Sequence, residues 1–505
     1  MKRIKLIFLI ILLIFVKNIF ATFTRVKSLG DIENPVDNKI SGLIKDDIVD
    51  IYFNPAKVNE IKNYLIFSAF NLKYGSELDE YSKEYKLSDE GAQKSETSIE
   101  KNNKKYEFKL NSGILIPLNV FNFYISYEPK WMRFNSEIKE SEIITGLTNT
   151  ESKKTNYVKE NLMSPMPLNI VLGFNIENTY LGIRTSYFHS EYYRFSESKN
   201  TKDEKAEYKS DEFSIGSGIE FNFNKKLSLS LAGDFNFSQK DDFPLYVPED
   251  ISSSNDLNYD KQKGIYNYNY TEKVSSYNLR IYPELRLENE RFFRFLLGIN
   301  YLSYSKSHKF NPQGDYANFN IKDFSKNEVV LSSGVSYNYN FTQNVMAIYG
   351  IKYTGYIYSR EEKLEVSKNN EIENEKSDHF IGGFSGFESK VSPMVFIRVG
   401  ISQGFYRFYK VYEKIYNKLS GDITEKYSVN NQFLPQTVFG LGLYVNPVKN
   451  LIFELNFIGM KDWTDWDMEN ISISEEQVKV NGVEKEKITK NNYDFQIGVS
   501  ITYRI

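Results

Sequence analysis

From Tyr493 to Ile505 the chain alternates without a break. Tyr493, Phe495, Ile497, Val499, Ile501, Tyr503 and Ile505 fall on one face; Asp494, Gln496, Gly498, Ser500, Thr502 and Arg504 fall on the other. Period-two alternation of this kind specifies a β-strand with one apolar and one polar face. Such a strand suits a β-sandwich or a barrel, and the rest of the chain has to decide between them.

The same pattern recurs from Lys62 onward, in pairs of strand-like stretches joined by very short turns. Phe108–Ile116 and Phe121–Tyr127 meet at Pro117–Asn119. Ile170–Ile176 and Leu181–Tyr187 meet at Glu177–Thr179, and Phe213–Phe221 and Leu227–Phe237 at Asn224–Lys226. Further turns are expected at Asn289–Glu290, Thr342–Asn344, Ser392–Pro393 and Asn446–Pro447. Between the pairs lie stretches rich in Lys, Glu, Asp, Asn and Ser: Ser76–Asn103, Asn135–Ser164, Ser238–Glu272, Glu361–Lys376 and Thr464–Lys490. These read as long loops. Short turns on one side and long polar loops on the other is the asymmetry of a transmembrane barrel. The expected fold is all-β, a closed antiparallel transmembrane β-barrel of about sixteen strands, or fourteen, with both termini on the short-turn side. A propeller or solenoid would show a fixed repeat period, and none is visible.

Composition narrows the alternatives. At 505 residues the chain exceeds an ordinary single soluble core, which stops growing near ~250–300 residues. Tyr and Phe number 38 each and favour strands. A formal net charge of -3 gives no case for nucleic acid as a partner. There is no cysteine, so disulfides and thiol chemistry are excluded. The three histidines, His189, His308 and His379, are isolated in sequence, and no metal or other cofactor is expected. No Gly-x-Ser-x-Gly elbow or phosphate loop marks a catalytic site, so the chain reads as a non-enzyme.

A barrel in a membrane must divide its residues between lipid and lumen. Charge at the lipid midplane costs about 2–4 kcal/mol for Lys or Arg, so strand charges belong inside. Strand parity then assigns Lys109, Glu128, Arg184, Glu212, Glu220, Asp234, Arg280, Glu284, Arg286, Arg294, Lys352, Arg398 and Glu454 to the lumen. Phe213, Ile215, Ile219 and Phe221 would meet membrane lipid. Aromatic groups such as Tyr187, Tyr192, Tyr193 and Phe195, or Phe405, Tyr406, Phe408 and Tyr409, read as interfacial girdles.

The N-terminal part differs from all this. Met1–Ala21 has a basic start, an apolar run from Leu6 to Val16 and a small residue at Ala21, the form of a secretory leader. Residues 22–61 lack alternation and carry Ile40, Leu43, Ile44, Ile48, Val49, Ile51, Tyr52 and Phe53 among turn formers. Asp47 or Asp50 is expected to cap a short helix, and Asn54-Pro55 to start another. So much apolar surface, tied closely to the first strand, is best placed in the barrel mouth, with Asp46, Asp47 or Asp50 near Arg280, Arg286 or Lys352. The barrel itself would be residues 62–505.

Two stretches carry a resemblance. Gln496, Gly498, Ile501 and Tyr503 fill the slots of the C-terminal signal strand of bacterial outer-membrane barrels, although an Ile stands where the terminal aromatic is usual. That resemblance implies an outer-membrane location and recognition by the barrel assembly machinery. Asp46-Asp47-Ile-Val-Asp50-Ile-Tyr-Phe-Asn54-Pro55-Ala56 resembles the N-terminal segment of the long-chain fatty-acid transporter family. In that family the segment is a hatch that plugs the barrel. The match covers about Gly42–Val58, and it departs at Lys57, where the family has Gly, and in strand number. The resemblance implies passive passage of a small solute, hydrophobic compounds such as fatty acids among them. The alternative is a structural or adhesive surface protein acting through its outer loops.

Overall fold

The computed structural model describes residues 23–29, 31, 41–87, 94–118, 120–145, 150–164, 167–198, 201–242, 259–260, 265–266, 269–287, 291–309, 322–365, 370–417, 423–448, 450–474 and 477–504. Residues 1–21, expected to be a leader, and the turn expected at Asn289–Glu290 lie outside them.

Sixteen staves form one antiparallel sheet among the described residues. In chain order they are β1 (Leu65–Leu87), β2 (Lys94–Pro117), β3 (Phe121–Tyr127, resuming as Lys130–Thr145), β4 (Thr150–Ser164, resuming as Leu168–Ile176), β5 (Thr179–Ser198), β6 (Thr201–Asn222), β7 (Leu227–Asp242) and β8 (Asn269–Arg286). They continue with β9 (Phe292–Lys309), β10 (Lys322–Thr342), β11 (Val345–Glu365), β12 (Asn370–Ser392), β13 (Val395–Asn417), β14 (Ile423–Phe433, resuming as Gln436–Val448), β15 (Leu451–Ser474) and β16 (Gln477–Arg504). Each pairs with its chain neighbours. The sheet closes because β1 also pairs with β16, from Leu65↔Arg504 to Leu87↔Gly482. Prolines mark the interrupted staves: Pro129 in β3, Pro167 in β4 and Pro435 in β14. A proline has no N–H for the ladder, so the strand breaks there. The ladder is patched across two of these breaks, with Leu110 N donating to Pro129 O at 3.0 Å and Glu128 N to Pro167 O at 3.0 Å.

The long polar stretches are a correction. Much of what reads as loop is paired strand: Glu77↔Asn103 to Lys86↔Lys94, Asn135↔Lys159, Glu361↔Asn374 and Thr464↔Lys490 are all ladder partners. Only the central part of Ser238–Glu272 carries no paired barrel strand in its described residues, apart from a two-residue hairpin, Tyr259–Asp260 with Ile265–Tyr266. The physical reason is that apolar alternation reports a lipid face, whereas a wall standing in water is polar on both faces and still satisfies its backbone by pairing. β1 has 23 residues and β16 has 28, where crossing a membrane takes about 9–11. The barrel therefore stands well proud of the bilayer on the side away from the short turns. The turn expected at Asn446–Pro447 lies later, between Val448 and Leu451, because the strand absorbs a register shift first.

The apolar faces point outward. Phe70, Leu72, Ile215, Leu279, Leu297, Ile351, Ile401, Phe439, Phe495 and Val499 are all exposed. An uninterrupted apolar belt on a closed barrel is what lipid requires and water does not tolerate. Aromatic pairs rim the belt: Tyr74–Tyr106, Phe108–Trp131 and Tyr277–Tyr301 on one side, Tyr337–Tyr339 and Tyr339–Phe341 on the other. Tyr409 departs from the girdle assignment, since its ring meets inward Lys376 at 5.5 Å. The side chains of Tyr192, Tyr193 and Phe195 lie outside the described set.

On β16 the outward Ile501 and Tyr503 face Phe453 and Leu451 of β15, and Ser68 and Ile66 of β1. Changing both to Asp places two charges on the lipid face of the closing seam, each costing less than the about 2–4 kcal/mol of a midplane Lys or Arg, and removes two residues of the terminal assembly pattern. The expected outcome is loss of heat-modifiable gel migration, the mark of a closed barrel; normal migration would contradict the seam.

Candidate functional site: the lumen and its N-terminal insert

The described residues of the N-terminal segment pack against inward-facing residues of the barrel wall. It has a helix, α1 (Phe23–Ser28), a second helix, α2 (Asp47–Phe53), and a 3-10 turn (Pro55–Glu60). Asp46, rather than Asp47 or Asp50, caps α2, accepting from Ile48 N at 3.2 Å and Val49 N at 3.3 Å. This frees Asp50, one turn on, for the wall. Asn54 begins the 3-10 turn as its sequence implies: its Oδ1 accepts from Ala56 N at 2.9 Å, with Pro55 in the first turn. The Asp47 side chain lies outside the described set.

Apolar packing holds the insert in two places. Val26, Leu29, Leu43, Ile44, Val49 and Phe53 pack with Tyr282, Leu296, Ile348 and Phe384 of the wall. Ile48, Ile51 and Val58 pack with Leu65, Phe67, Leu115, Tyr124 and Val171. Inward glycines let the backbone come closer still. A Cβ on Gly182 would collide with the Pro55 carbonyl carbon, and one on Gly218 with Asn54 Oδ1. Within the insert, Gly42 has φ +71° and sits under the Phe53 ring, a place no side chain could share. The amides of Asn54 and Asn59 then donate to wall carbonyls, Ile219 O at 3.3 Å and Leu181 O at 2.9 Å.

Charge pairing joins the insert to the lumen residues. Asp50 meets Arg294 at 2.9 Å with both side chains only 2% exposed. Lys57 meets Glu220 at 2.6 Å and Glu60 at 3.0 Å. Lys45 lies 3.7 Å from Glu284, which also binds Arg286 at 2.7 Å. Arg25 meets Glu388 at 3.1 Å; Glu388 is shared with Arg398, which binds Glu454 at 2.6 Å. Lys352 lies 3.8 Å from Asp31, whose carboxylate also accepts from Ser41 N and Gly42 N. Arg184 donates to Tyr52 O at 2.6 Å and pairs with Asp234, and Arg280 lies 3.6 Å from Asp234 with its guanidinium over the Phe53 ring.

Ten of the thirteen lumen residues read from parity thus converge on the insert or its immediate ring. The acidic partner for Arg280 is Asp234, and the wall partner of Asp50 is Arg294, not Arg280, Arg286 or Lys352. Strand parity could place these side chains inside but not at a common height. Three residues stand apart. Lys109 pairs with Glu107 at 2.9 Å, Glu128 accepts from Asn169 at 3.0 Å, and Glu212 is half-buried on the inner face of β6. Sequence reading missed Arg25, Asp31, Lys45, Lys57, Glu60 and Glu388. Lys57 carried a signal, being the one departure from the Asn-Pro-Ala-Gly pattern, and it is the residue that ties the turn to Glu220. On β16, Gln496 and Gly498 are inward, and Gln496 donates to Asn71 at 2.9 Å. The histidines have local partners: His189 meets Asp211 at 2.8 Å, and His379 lies between Tyr353 and Ser377. The side chain of His308 is outside the described set.

Burial pushes the Glu60 carboxyl up, but Lys57, Lys45 and Arg286 more than offset it and hold it down to about 2. A depressed carboxylate stabilises the docked insert above its unfolded value of about 4.3 and loses that contribution as pH falls. Trypsin cleavage at Lys45 and Lys57 is expected to be slow at neutral pH. Pre-incubation near pH 2 and a rapid return should raise cleavage by a fast protease, whereas pre-incubation at pH 6 should not. A second expectation concerns Asp50→Asn. It leaves Arg294 buried without its counter-charge, a loss of about 3–5 kcal/mol, read as a drop in insert protection while heat-modifiable migration persists.

No protein-family model matches the chain, and a search of curated proteins finds no match. Solved structures give likenesses of low identity. A Pseudomonas aeruginosa FadL homologue is 10% identical with a TM-score of 0.42, covering 96% of this chain and 98% of its own. The P. putida toluene transporter TodX is 9% identical with a TM-score of 0.39, covering 95% and 99%. The CymD monoaromatic hydrocarbon channel is 8% identical with a TM-score of 0.33, covering 95% and 98%. The barrel described above rests on this chain's own strand pairing and on the closure of β1 with β16.

Proposed function

We propose that the chain is an outer-membrane channel or transporter for passive passage of small solutes, hydrophobic compounds among them, and that its N-terminal segment is a hatch. The observation that carries this reading is the character of the insert–wall contact. The contact combines two apolar patches with a set of ion pairs and single hydrogen bonds, and several of its buried polar atoms have no protein partner: Asp50 Oδ2, Arg294 Nε, Glu220 Oε2, Arg184 Nε and Tyr282 Oη. Each such atom costs about 1–3 kcal/mol in a dry site. Water entering an opened lumen would satisfy them, so undocking exchanges contacts rather than simply losing them. A shifted insert would also uncover Tyr282, Leu296, Ile348 and Phe384, an apolar surface that a hydrophobic solute can take over. Deleting Ser28–Ala56 should leave a folded barrel with a larger, steadier single-channel conductance in planar bilayers. Unchanged conductance would end the hatch reading.

A second reading has its own observation. The strands run far past the membrane, so the tall outer wall offers a surface to other molecules, as a structural or adhesive protein would. Shortening the β1–β2 hairpin by removing 77–103 should then abolish retention on a partner surface while leaving conductance unchanged.

A further inference from the structure

On the outer wall, β9 to β13 border a groove of about 480 Å³. Tyr337, Tyr349, Ile351, Ile401 and Phe405 stand around it, and Gly383 and Ser385 form its low ground. The outward position of the large residues is plain from their exposure: Tyr349 41%, Ile351 55%, Ile401 47% and Phe405 44%. Two irregularities shape the place. β12 and β13 slip register between Ile381 and Gly382, where Phe405 is the extra residue, and its ring comes to lie over Gly383. β11 slips against β12 above Gly355. At that height His379 is held between the Tyr353 hydroxyl at 2.7 Å and the Ser377 hydroxyl at 2.8 Å, above the groove on the same outward face.

We propose that this groove binds one acyl chain of a membrane lipid, with the lipid's polar end at Ser377, His379 and Tyr353. A concave apolar surface inside the hydrocarbon layer has no water to fill it, and an acyl chain is the convex object at hand. A flexible chain recovers the dispersion contacts that a gap beside Gly383 and Ser385 would forfeit. Moving from the groove toward the long-strand side, β12 passes Ile381 and then reaches His379. Polar side chains on an outward face belong where the apolar belt gives way to head groups. A second copy of this chain fits less well, because a two-fold contact would set groove against groove and leave the gap unfilled.

The test uses the full chain in phosphatidylcholine vesicles doped with a phosphatidylcholine carrying a diazirine on one acyl chain. After irradiation, cross-links should concentrate on the peptides containing Tyr349–Ile351 and Gly383–Ser385. Ser385→Phe fills the groove and should cut that yield about tenfold, roughly the loss of two buried methylenes. Ile215→Phe, on the lipid face of β6, should leave it unchanged, and both variants should keep heat-modifiable migration. Cross-links spread evenly around the barrel, or a yield indifferent to Ser385→Phe, would overturn the proposal. So would a native mass spectrum showing a dimer that Ser385→Phe dissociates, or methylcyclohexane at saturation displacing the lipid signal, which would assign the groove to a small apolar solute. Conductance is not read, so the outcome is independent of whether the barrel passes solutes.

Discussion

The closing ladder between β1 and β16 is the contact on which everything else depends. A strand in hydrocarbon cannot leave a row of N–H and C=O groups unpaired, so the first and last strands must meet. Once they meet, inside and outside become distinct for every residue between them. The apolar set Tyr493 to Tyr503 must face lipid, and Gln496, Gly498, Ser500 and Thr502 must face inward. A slip of one residue at this seam would exchange the two faces of the strand.

Closure also creates the lumen's electrostatic problem. Charges excluded from the lipid face collect inside, where partial burial makes an unpaired one expensive. The wall settles some of them internally, as Arg398 with Glu454 and Arg280 with Asp234. For others the insert brings the counter-charge: Asp50 for Arg294, Lys57 for Glu220, Lys45 for Glu284, Arg25 for Glu388 and Asp31 for Lys352. Wall and insert are thus electrostatically complementary.

The sequence makes the membrane-spanning half of the wall legible, because lipid imposes a period of two on one face. Turns such as Glu177–Thr179 and Asn224–Lys226 follow from that periodicity. The upper wall is illegible by the same logic: Glu77 to Lys86 and Lys94 to Asn103 alternate nothing, yet they pair residue by residue. In the insert, Asn54-Pro55 announces its turn through local chemistry. The Asp50–Arg294 pair, by contrast, joins residues 244 apart, and no local pattern encodes which inward cation lies at the height of a given carboxylate. Gly182 and Gly218 carry no such local signal; the close approach of Pro55 and Asn54 is what gives them a purpose.

The long separation between the closing partners has a consequence for the order of events. Leu65 finds Arg504 only after the whole barrel sequence exists, so the seam is set late and the contact is as non-local as this chain allows. The insert leads the barrel in the chain, yet its resting places are scattered from Leu65 to Gln496. It emerges early and cannot complete its contacts until the last strands arrive. During that interval Leu43, Ile44, Ile48, Val49 and Ile51 are bare, and they are the kind of surface that draws aggregation. A chain built this way has to be escorted, and the span to be covered is set by the arrival of its own C-terminus.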